Sequence, residues 1–436
     1  MKALPTQKQL KYLDWEFGAF FHFGIRSFHP GHRDWDGIPM DASTFCPDAL
    51  DCGQWVRTVK SVGAKYAIMT AKHHDGFALW PSAFTDYSVA ASPWKDGKGD
   101  VVREFTDACR KEGIAVGLYY SPAQWKKPDE MPASVGAPEK PMWGAVSAVY
   151  EDDRAYDDYF IGQISELLTN YGKIDYLWFD GCGSGDHQYD QKRIIGTIRS
   201  LQPDILIFGM WDPDTEWVGN EDGYAPVPNY YTQTRIVLGE EKTYFVPAEC
   251  DCRIRTHWFY DNDEWTLKSV DELVGMFELS VGRGSNLLLN IGPDDHGLLP
   301  ESDIRRLRQW RAELDRRYGT PLPFAPMAKN AHGSYSIEYT DETLNSHLGD
   351  TDYIPLCRSV ILKEDLTNGQ SVKRFKLCAH LPSRQPISDR TFCVFEGETI
   401  GHKCICRFPA VRAPKFTLEI LESDGEPVLT EFCAFE

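Results

Sequence analysis

The chain has no apolar run long enough to span a membrane and no surplus of basic residues. A spanning helix needs roughly 20 predominantly apolar residues, and the longest apolar stretches here have the length of single strands. Residues 1–15, MKALPTQKQLKYLDW, lack the apolar core of a secretory signal. Lysine and arginine number 46 against 65 aspartates and glutamates, a net charge of −19. So acidic a protein repels phosphate backbones and anionic lipids, and we therefore predict that neither nucleic acid nor membrane is a partner. Because neither a signal peptide nor a spanning segment is seen, we predict a cytoplasmic protein.

Motifs for metals and nucleotide cofactors are also missing. The pairs Cys250/Cys252 and Cys404/Cys406 are C-x-C rather than the C-x-x-C of common zinc sites, and there is no H-x-x-x-H pair. The turn GCGSGD at 181–186 is not a G-x-G-x-x-G fingerprint, and the acid before it would repel a pyrophosphate. D-x-D pairs occur only in irregular acidic sequence, where turn or solvated acids are common. We therefore predict no cofactor and no bound metal.

Short apolar runs alternate with amphipathic segments up to about residue 319. The runs predict strands at 17–24, 65–72, 114–122, 174–180, 204–210, 243–250 and 286–293. Alternating strands and helices imply a parallel sheet, and seven or eight strands over about 320 residues favour a (β/α)8-like barrel. The pattern alone leaves a doubly wound open sheet as an alternative. The segment 211–242 is irregular and rich in proline, glycine and acids, which predicts a long loop.

The pattern changes after residue 320. PLPFAPMAKN resembles a linker, and short period-2 stretches bounded by turn residues follow it. In KFTLEI, apolar residues alternate with Thr417 and Glu419, and Leu421 breaks the alternation, so the strand ends or bulges there. These features predict an antiparallel β-sandwich. We therefore divide the chain into a catalytic barrel, 1–320, and a C-terminal β-sandwich domain, 321–436.

Polar side chains stand at the ends of the predicted strands, where the working face of a (β/α)8 barrel lies. They are His22, His73, His74, Tyr119, Asp180 and Glu249. The loop VGNEDGY adds Glu221 between two glycines. These groups are far apart in sequence but would converge at one rim. Two carboxyl groups among histidines and aromatic rings suit glycoside hydrolysis, which needs one ionised carboxylate and one protonated acid.

Each candidate also has a plainer interpretation. Asp180 could cap a following helix, although no helical pattern starts before about residue 189. His22 could be a core histidine with satisfied hydrogen bonds, and Glu221 could be a solvated loop acid. Some tryptophans that could stack on a sugar could equally be packing residues, namely Trp35, Trp211 and Trp258.

The chain resembles the α-L-fucosidases of glycoside hydrolase family 29 over roughly residues 10–320. The motifs that carry the resemblance are FFHFG, KYAIMTAKHHDGFALWPS, GLYYSP, DYLWFDG and NLLLNIGPDDHG. The resemblance implies a retaining exo-α-L-fucosidase acting on fucosylated oligosaccharides or glycoconjugates. An inactive fucose-binding protein of the same fold is the alternative. The sequence does not indicate an oligomeric state.

The resemblance also implies roles for single residues. Asp180, in LWFDG, matches the family nucleophile. Substrate-binding positions are implied at His22, Asp34, Trp35, His73, His74 and Tyr119. Asp34 stands where the family usually has glutamate. We add Trp211 as a further candidate for substrate binding.

The acid/base is implied differently by the two subgroups of the family. In the subgroup acting on α-1,3- and α-1,4-linked fucose the acid lies in a G-N-E-x-G-like loop, which gives Glu221; in the broad-specificity subgroup it comes from a later strand, nearer Glu249. The stretch EKTYFVPAECDCRIRTHWFYD resembles the first subgroup, in which the glutamate helps to hold substrate. We therefore favour Glu221 as the acid/base and Glu249 as a substrate-binding residue. Cys250, Cys252 and His257 depart from that subgroup, which leaves the acceptor linkage open.

Overall fold

A computed structural model describes residues 3–31, 40–124, 153–180, 187–339, 354–381 and 390–436. The first part of the chain forms a parallel barrel and the second forms two antiparallel sheets. The strands of the first part are β1 (Phe17–Phe21), β2 (Tyr66–Lys72), β3 (Ala115–Tyr120), β4 (Tyr176–Phe179), β5 (Leu206–Phe208), β6 (Glu216–Trp217), β7 (Thr232–Val237), β8 (Glu240–Phe245), β9 (Ala248–Arg253) and β10 (Asn286–Asn290). Its helices are α1 (Gln7–Trp15), α2 (Cys52–Ser61), α3 (Val101–Glu112), α4 (Asp153–Asn170), α5 (Gln191–Leu201), α6 (Val270–Ser280) and α7 (Glu301–Tyr318).

The barrel strands follow the chain around the ring. The order runs from β1 to β6 and then through β9 and β10 back to β1, and all neighbours are parallel. A parallel bridge between Phe208 of β5 and Thr215, which precedes β6, joins the two edges of the sheet. The α/β class and the (β/α)8-like barrel are therefore confirmed. No helix in the described part of the chain combines the length and apolar character needed to cross a bilayer.

The helices begin where the sequence supplies capping side chains. Asp51, Asp100 and Asp190 each accept a hydrogen bond from the backbone N–H three residues further on, at the starts of α2, α3 and α5. Gly113 adopts the left-handed conformation just after α3, which a residue without Cβ does at no steric cost. Such caps fix where each helix lies against the strand that follows it.

Two apolar layers hold the barrel together. Alternate strand residues point inward and fill the interior, for example Phe20, Ile68, Trp178 and Leu288. Their neighbours along each strand point outward and pack against the helices. Because β1, β2, β4 and β10 are buried on both faces, their sequences are largely continuous apolar runs rather than alternating ones. That pattern is why these strands could be predicted, whereas β6 and β9 lack it.

Glu249 lies inside the barrel, away from the C-terminal rim. It is the second residue of β9 and is fully buried. Its carboxylate accepts hydrogen bonds from Tyr66 Oη at 2.6 Å, Trp178 Nε1 at 2.9 Å, Tyr12 Oη at 3.0 Å and Tyr176 Oη at 3.3 Å. Burial raises the pKa of this carboxyl to about 6, although the four donors oppose that shift. The prediction that a strand ends at Glu249 is wrong.

The error has a local cause. The stretch 243–250 is one apolar run in the sequence, but Pro247 lies between β8 and β9 and lacks the N–H that would continue a ladder. The long loop predicted at 211–242 is also wrong in part, because this segment contains β6, β7 and the start of β8. With two residues, β6 is too short to show any period, and β7 pairs with β8 as an antiparallel hairpin outside the barrel.

The second part of the chain is a sandwich of two antiparallel sheets. Its strands are β11 (Ala328–Lys329), β12 (Tyr335–Glu338), β13 (Cys357–Glu364), β14 (Val372–Leu381), β15 (Arg390–Gly397), β16 (Cys404–Val411), β17 (Lys415–Ser423) and β18 (Leu429–Phe435). One sheet has the order β11-β12-β17-β14-β15 and the other β16-β13-β18. Side chains of both sheets, such as Phe375 and Val360, share one core. The ladder between β14 and β17 skips Leu421, the residue that breaks the alternation in the sequence.

Barrel and sandwich meet through paired charges and a shared backbone contact. Glu16, between α1 and β1, binds Lys403 and Lys363 of the sandwich. Ile405 N–H of β16 donates to the carbonyl of Gly282, just after α6. The domain boundary that we propose at 320/321 falls between the end of α7 and the start of β11.

We predict that Glu249→Ala destabilises the fold without acting on the rim. The change leaves three tyrosine hydroxyls and an indole N–H without their common acceptor, and unpaired buried donors should lower the free energy of unfolding by about 3 kcal/mol. Urea denaturation of the two proteins measures the difference. Glu338→Ala, which removes an exposed partner of Lys415, is the control and should match wild type. Equal stability of Glu249→Ala and this control would contradict the structural role.

Candidate active site

The ends of β1 to β4 bring three histidines, a tyrosine and an aspartate together at one rim. His22 follows β1, His73 and His74 follow β2, and Tyr119 is the penultimate residue of β3. The ring centroids of His22 and His73 lie 5.7 Å apart, and those of His73 and His74 lie 4.3 Å apart. The ring of Tyr119 stacks on His73 at 5.4 Å. Parallel strands end side by side, so residues distant in sequence become neighbours here.

Asp180 follows β4 and points into this group. Its Oδ2 accepts a hydrogen bond from Tyr119 Oη at 2.7 Å and lies 3.5 Å from His74 Nε2. The side chain keeps 20% of its surface exposed, whereas that of His74 keeps 3%. The next helix, α5, is capped by Asp190, so Asp180 is not the cap of that helix. A carboxylate held at a strand end, with a fifth of its surface exposed, can contact a bound ligand.

The three histidines are buried and favour the neutral form. Burial is the largest effect on each of them, and it lowers the pKa of His22 to about 3. It also lowers the pKa values of His73 and His74, with Asp180 opposing the shift at His74. A neutral imidazole has one donor and one acceptor nitrogen, which suits contacts with sugar hydroxyls.

Glu221 reaches the same region from the loop after β6. Gly219 and Gly223 flank it with φ of 98° and 79°, values that side chains disfavour, so the loop can reverse direction. The carboxylate lies 3.4 Å from Arg253 Nη2 and keeps 44% of its side chain exposed. Burial raises the pKa of Glu221, the charge of Arg253 opposes the rise, and the charge of Asp180 adds to it. The two carboxyl groups therefore influence one another.

Four further residues also build the site. Arg253 ends β9 and Asn290 ends β10, so both obey the strand-end rule, and Arg253 would have been found had β9 been delimited correctly. Trp258, which the sequence left as either a sugar-stacking or a packing residue, has its indole 4.8 Å from the ring of His22 and 5.1 Å from the guanidinium of Arg253. Ser121 follows β3, so it too obeys the strand-end rule, and it contacts His74.

Two predicted site residues make contacts away from the histidines. Glu249 is enclosed in the barrel interior, which argues against its predicted contact with substrate. Trp211 has a left-handed backbone, with φ of 71°, and its described ring contacts are with Phe160 and Phe179, each at 6.1 Å, and with Tyr189 at 4.8 Å. Its role in substrate binding stays a prediction. Asp34 and Trp35 fall in 32–39, outside the described residues, and so does the turn 181–186.

The site also contains atoms that a metal could use. Donor atoms of His73, His74 and Asp180 lie within 4.8 Å of one another. Neutral imidazoles and a carboxylate can ligate a divalent ion. The same atoms would equally contact the hydroxyls of a sugar, and the prediction that the protein binds no metal stays a prediction.

Two carboxyl groups that share a pocket with aromatic rings and neutral imidazoles define a glycoside-hydrolase type of site. Comparisons with known proteins agree with this class. Residues 40–315 match the protein family described as Alpha-L-fucosidase. Alpha-L-fucosidase 1 of Arabidopsis thaliana is 31% identical over 467 residues, which cover 98% of this chain and 86% of that protein.

Solved structures are similar along the whole chain. A glycoside hydrolase 29 family member from an unknown rumen bacterium is 31% identical and superposes with a TM-score of 0.82, covering 99% of this chain and 77% of that one. A Ruminococcus gnavus GH29 fucosidase in complex with fucose shares the fold, with a TM-score of 0.80 at 23% identity over 100% of this chain and 95% of that one. The chain belongs to the alpha-L-fucosidase family, glycoside hydrolase family 29, and is a glycoside hydrolase.

We predict that Tyr119→Phe lowers kcat/KM on a branched fucosylated trisaccharide about tenfold or more. The change removes the hydroxyl that donates to Asp180 but keeps the stacked ring, and a hydrogen bond to a charged group contributes about 1.5–3 kcal/mol. Steady-state kinetics and thermal unfolding measure activity and stability.

The neighbouring Tyr120→Phe is the matched control. Its hydroxyl donates to Gln163 Oε1 at 2.7 Å, and this variant should keep its activity. Equal losses in the two variants would contradict a specific effect on Asp180.

Proposed function

We propose that the chain is a retaining exo-α-L-fucosidase that removes terminal α-L-fucose, α-1,3- or α-1,4-linked on branched glycans. The observation that carries this proposal is the position of Asp180. It follows β4, accepts a hydrogen bond from Tyr119 and lies beside His74. A nucleophile must be fixed near the anomeric carbon, and the strand end and the Tyr119 hydrogen bond support that role.

In the first step, a carboxylate oxygen of Asp180 bonds to the anomeric carbon as the bond to the leaving oxygen breaks. Glu221 gives its proton to that oxygen. In the second step Glu221 takes a proton from water, water attacks the anomeric carbon, and the ester bond to Asp180 breaks.

The electrostatics suit this change of role. The negative charge of Asp180 helps to raise the pKa of Glu221, so the acid holds its proton while Asp180 is ionised. When Asp180 becomes an ester, its charge is gone and the pKa of Glu221 falls. The residue can then act as a base.

The position of Glu221 supports the α-1,3/1,4 subgroup over the broad-specificity alternative. Glu221 is on a half-exposed loop beside Arg253 and Trp258, where a leaving sugar can reach it. Glu249, the other candidate acid, has both oxygens occupied by donors inside the barrel. Proton transfer requires contact with the leaving oxygen, directly or through one water.

We predict that Glu221→Ala abolishes fucose release from a trisaccharide with α-1,3- or α-1,4-linked fucose. A sugar is a poor leaving group and needs the proton, so kcat/KM should fall at least about 10²-fold. An α-1,2-linked oligosaccharide and an aryl fucoside are measured in parallel, and wild type should release fucose readily only from the branched sugars.

Two variants complete this experiment. Asp180→Gly should lose nearly all turnover on every substrate while the fold survives. Glu249→Gln, which keeps an acceptor oxygen in the barrel, should stay active. Ready cleavage of the α-1,2 linkage, little changed in Glu221→Ala, would contradict both the linkage and the acid.

We predict that Arg253→Gln moves the alkaline limb of the pH profile to higher pH. The guanidinium favours the ionised form of Glu221, so its loss raises the pKa of that carboxyl. The acid then keeps its proton to higher pH. The measurement is kcat/KM against pH on the branched trisaccharide.

Arg235→Gln is the control. Arg235 lies on the β7–β8 hairpin and pairs with Glu216, so its loss should leave the pH profile unchanged. A limb that moves to lower pH in Arg253→Gln, or stays in place, would show that Glu221 does not set it.

A further inference from the structure

The proton on His74 can be placed from the contacts of Ser121. Ser121 is fully buried, and its Oγ lies 2.6 Å from the carbonyl oxygen of Ala123 and 2.6 Å from His74 Nδ1. A carbonyl only accepts, so the single hydroxyl hydrogen of Ser121 goes to Ala123. The serine then offers a lone pair to His74 Nδ1, which must carry the hydrogen.

The same logic applies to His22 through Asn290. The Nδ2 group of Asn290 donates to the carbonyl oxygen of Trp258 at 2.7 Å. Its Oδ1 accepts from the backbone N–H of His22 at 3.2 Å and lies 2.7 Å from His22 Nδ1. Turning the amide over would set two acceptors against each other at Trp258 and two donors against each other at the His22 backbone. The orientation is thus fixed by groups with only one possible role, and His22 Nδ1 is a donor.

Both imidazoles therefore have their Nε2 as the remaining nitrogen. Burial keeps His22 and His74 neutral; Arg26 and Lys72 further disfavour a second proton on His74, and Asp180 favours it. In the neutral ring Nε2 is then an acceptor. At His74 it lies 3.5 Å from Asp180 Oδ2, so two acceptor atoms are neighbours there.

We propose that Ser121 and Asn290 are positioning residues that hold His74 and His22 as Nδ1–H tautomers, so that the pocket offers two Nε2 acceptors and requires hydroxyl donors on the sugar. As a statement about substrate, this inference rests on the proposed function. It states which partner donates the hydrogen in each contact between the sugar and the two imidazoles. The sugar hydroxyls donate to the imidazoles, and a group that only accepts cannot replace them.

The experiment compares inhibition by L-fucose with that by analogues in which each ring hydroxyl is replaced in turn by hydrogen or fluorine. Fucose release by wild type from the trisaccharide with α-1,3- or α-1,4-linked fucose tests the proposed function and provides the assay. At a hydroxyl that donates to Nε2, the fluoro analogue should bind as weakly as the deoxy analogue, about tenfold weaker than L-fucose, because fluorine carries no hydrogen. A fluoro analogue that binds like L-fucose at every position would overturn the proposal.

The variants connect that hydroxyl to Ser121. Ser121→Ala should weaken the binding of L-fucose about tenfold. It should change the inhibition constant of one deoxy analogue by no more than about twofold, because that analogue already lacks the contact. Ser121→Thr, which restores the hydroxyl, should recover binding. Ser280→Ala is the matched control, a fully buried serine whose Oγ donates to the carbonyl of Met276 at 2.6 Å. If Ser121→Ala weakened the binding of L-fucose and of every analogue equally, the variant would have a general structural defect and the proposal would be overturned.

Nuclear magnetic resonance of ¹⁵N-histidine-labelled protein reads the tautomers without any substrate. His22→Gln and His74→Gln assign the signals among the 12 histidines of the chain. Wild type should show protonated Nδ1 and unprotonated Nε2 at both residues. Asn290→Ala should shift the nitrogen signals of His22 but not those of His74. The opposite tautomer, or a doubly protonated ring, would overturn the inference. If wild type does not hydrolyse the branched trisaccharide, the proposed function fails while this readout still decides the tautomers.

Discussion

The carboxylate of Glu249 is the interaction on which the barrel interior depends. It collects hydrogen bonds from a helix that closes the barrel, α1, and from two strands, β2 and β4. A charge buried this deeply is stable only when its oxygens are fully paired. The four donors therefore fix how these elements sit around β9 at the N-terminal end of the barrel. The strands extend from there to the opposite end of the barrel, where His73 follows β2 and Asp180 follows β4.

The two ends of the barrel use carboxylates in opposite ways. Glu249 has its acceptor capacity filled by protein donors and keeps no exposed surface. Asp180 accepts from Tyr119 and has the acceptor edge of a neutral histidine nearby, while a fifth of its side chain stays open. A satisfied carboxylate stabilises its surroundings, whereas an open one beside a second acceptor retains capacity for a ligand. Sequence alone gives both residues the same description, an acid after an apolar run.

The barrel and most of its rim could be predicted because they rest on local patterns. Continuous apolar runs mark strands buried on both faces, and the residues after them reach the rim, which located His22, His73, His74 and Asp180. One failure was a local signal that went unused, and the other depends on tertiary structure. Pro247 is the local sign that 243–250 is not one strand, and because the apolar run was taken as continuous, Glu249 was placed at the wrong end of a strand and Arg253 was overlooked. A two-residue strand such as β6 exists only because its neighbours complete the sheet.

The sandwich is coupled to one side of the site more than to the other. The chain returns from the Glu221 loop through Asn229 and Tyr231, and both are held against the second domain. Asn229 N–H donates to Thr399 Oγ1 at 3.2 Å, and the hydroxyl of Tyr231 accepts from the backbone of His402 at 3.0 Å.

Asp180, by contrast, follows a strand whose neighbours in the sheet are β3 and β5, both of the barrel. A change in the packing between the domains would therefore move Glu221 relative to Asp180 rather than move the two together. With the roles that we propose, Glu221 as acid and Asp180 as nucleophile, the second domain would help to set the distance between the two carboxyl groups.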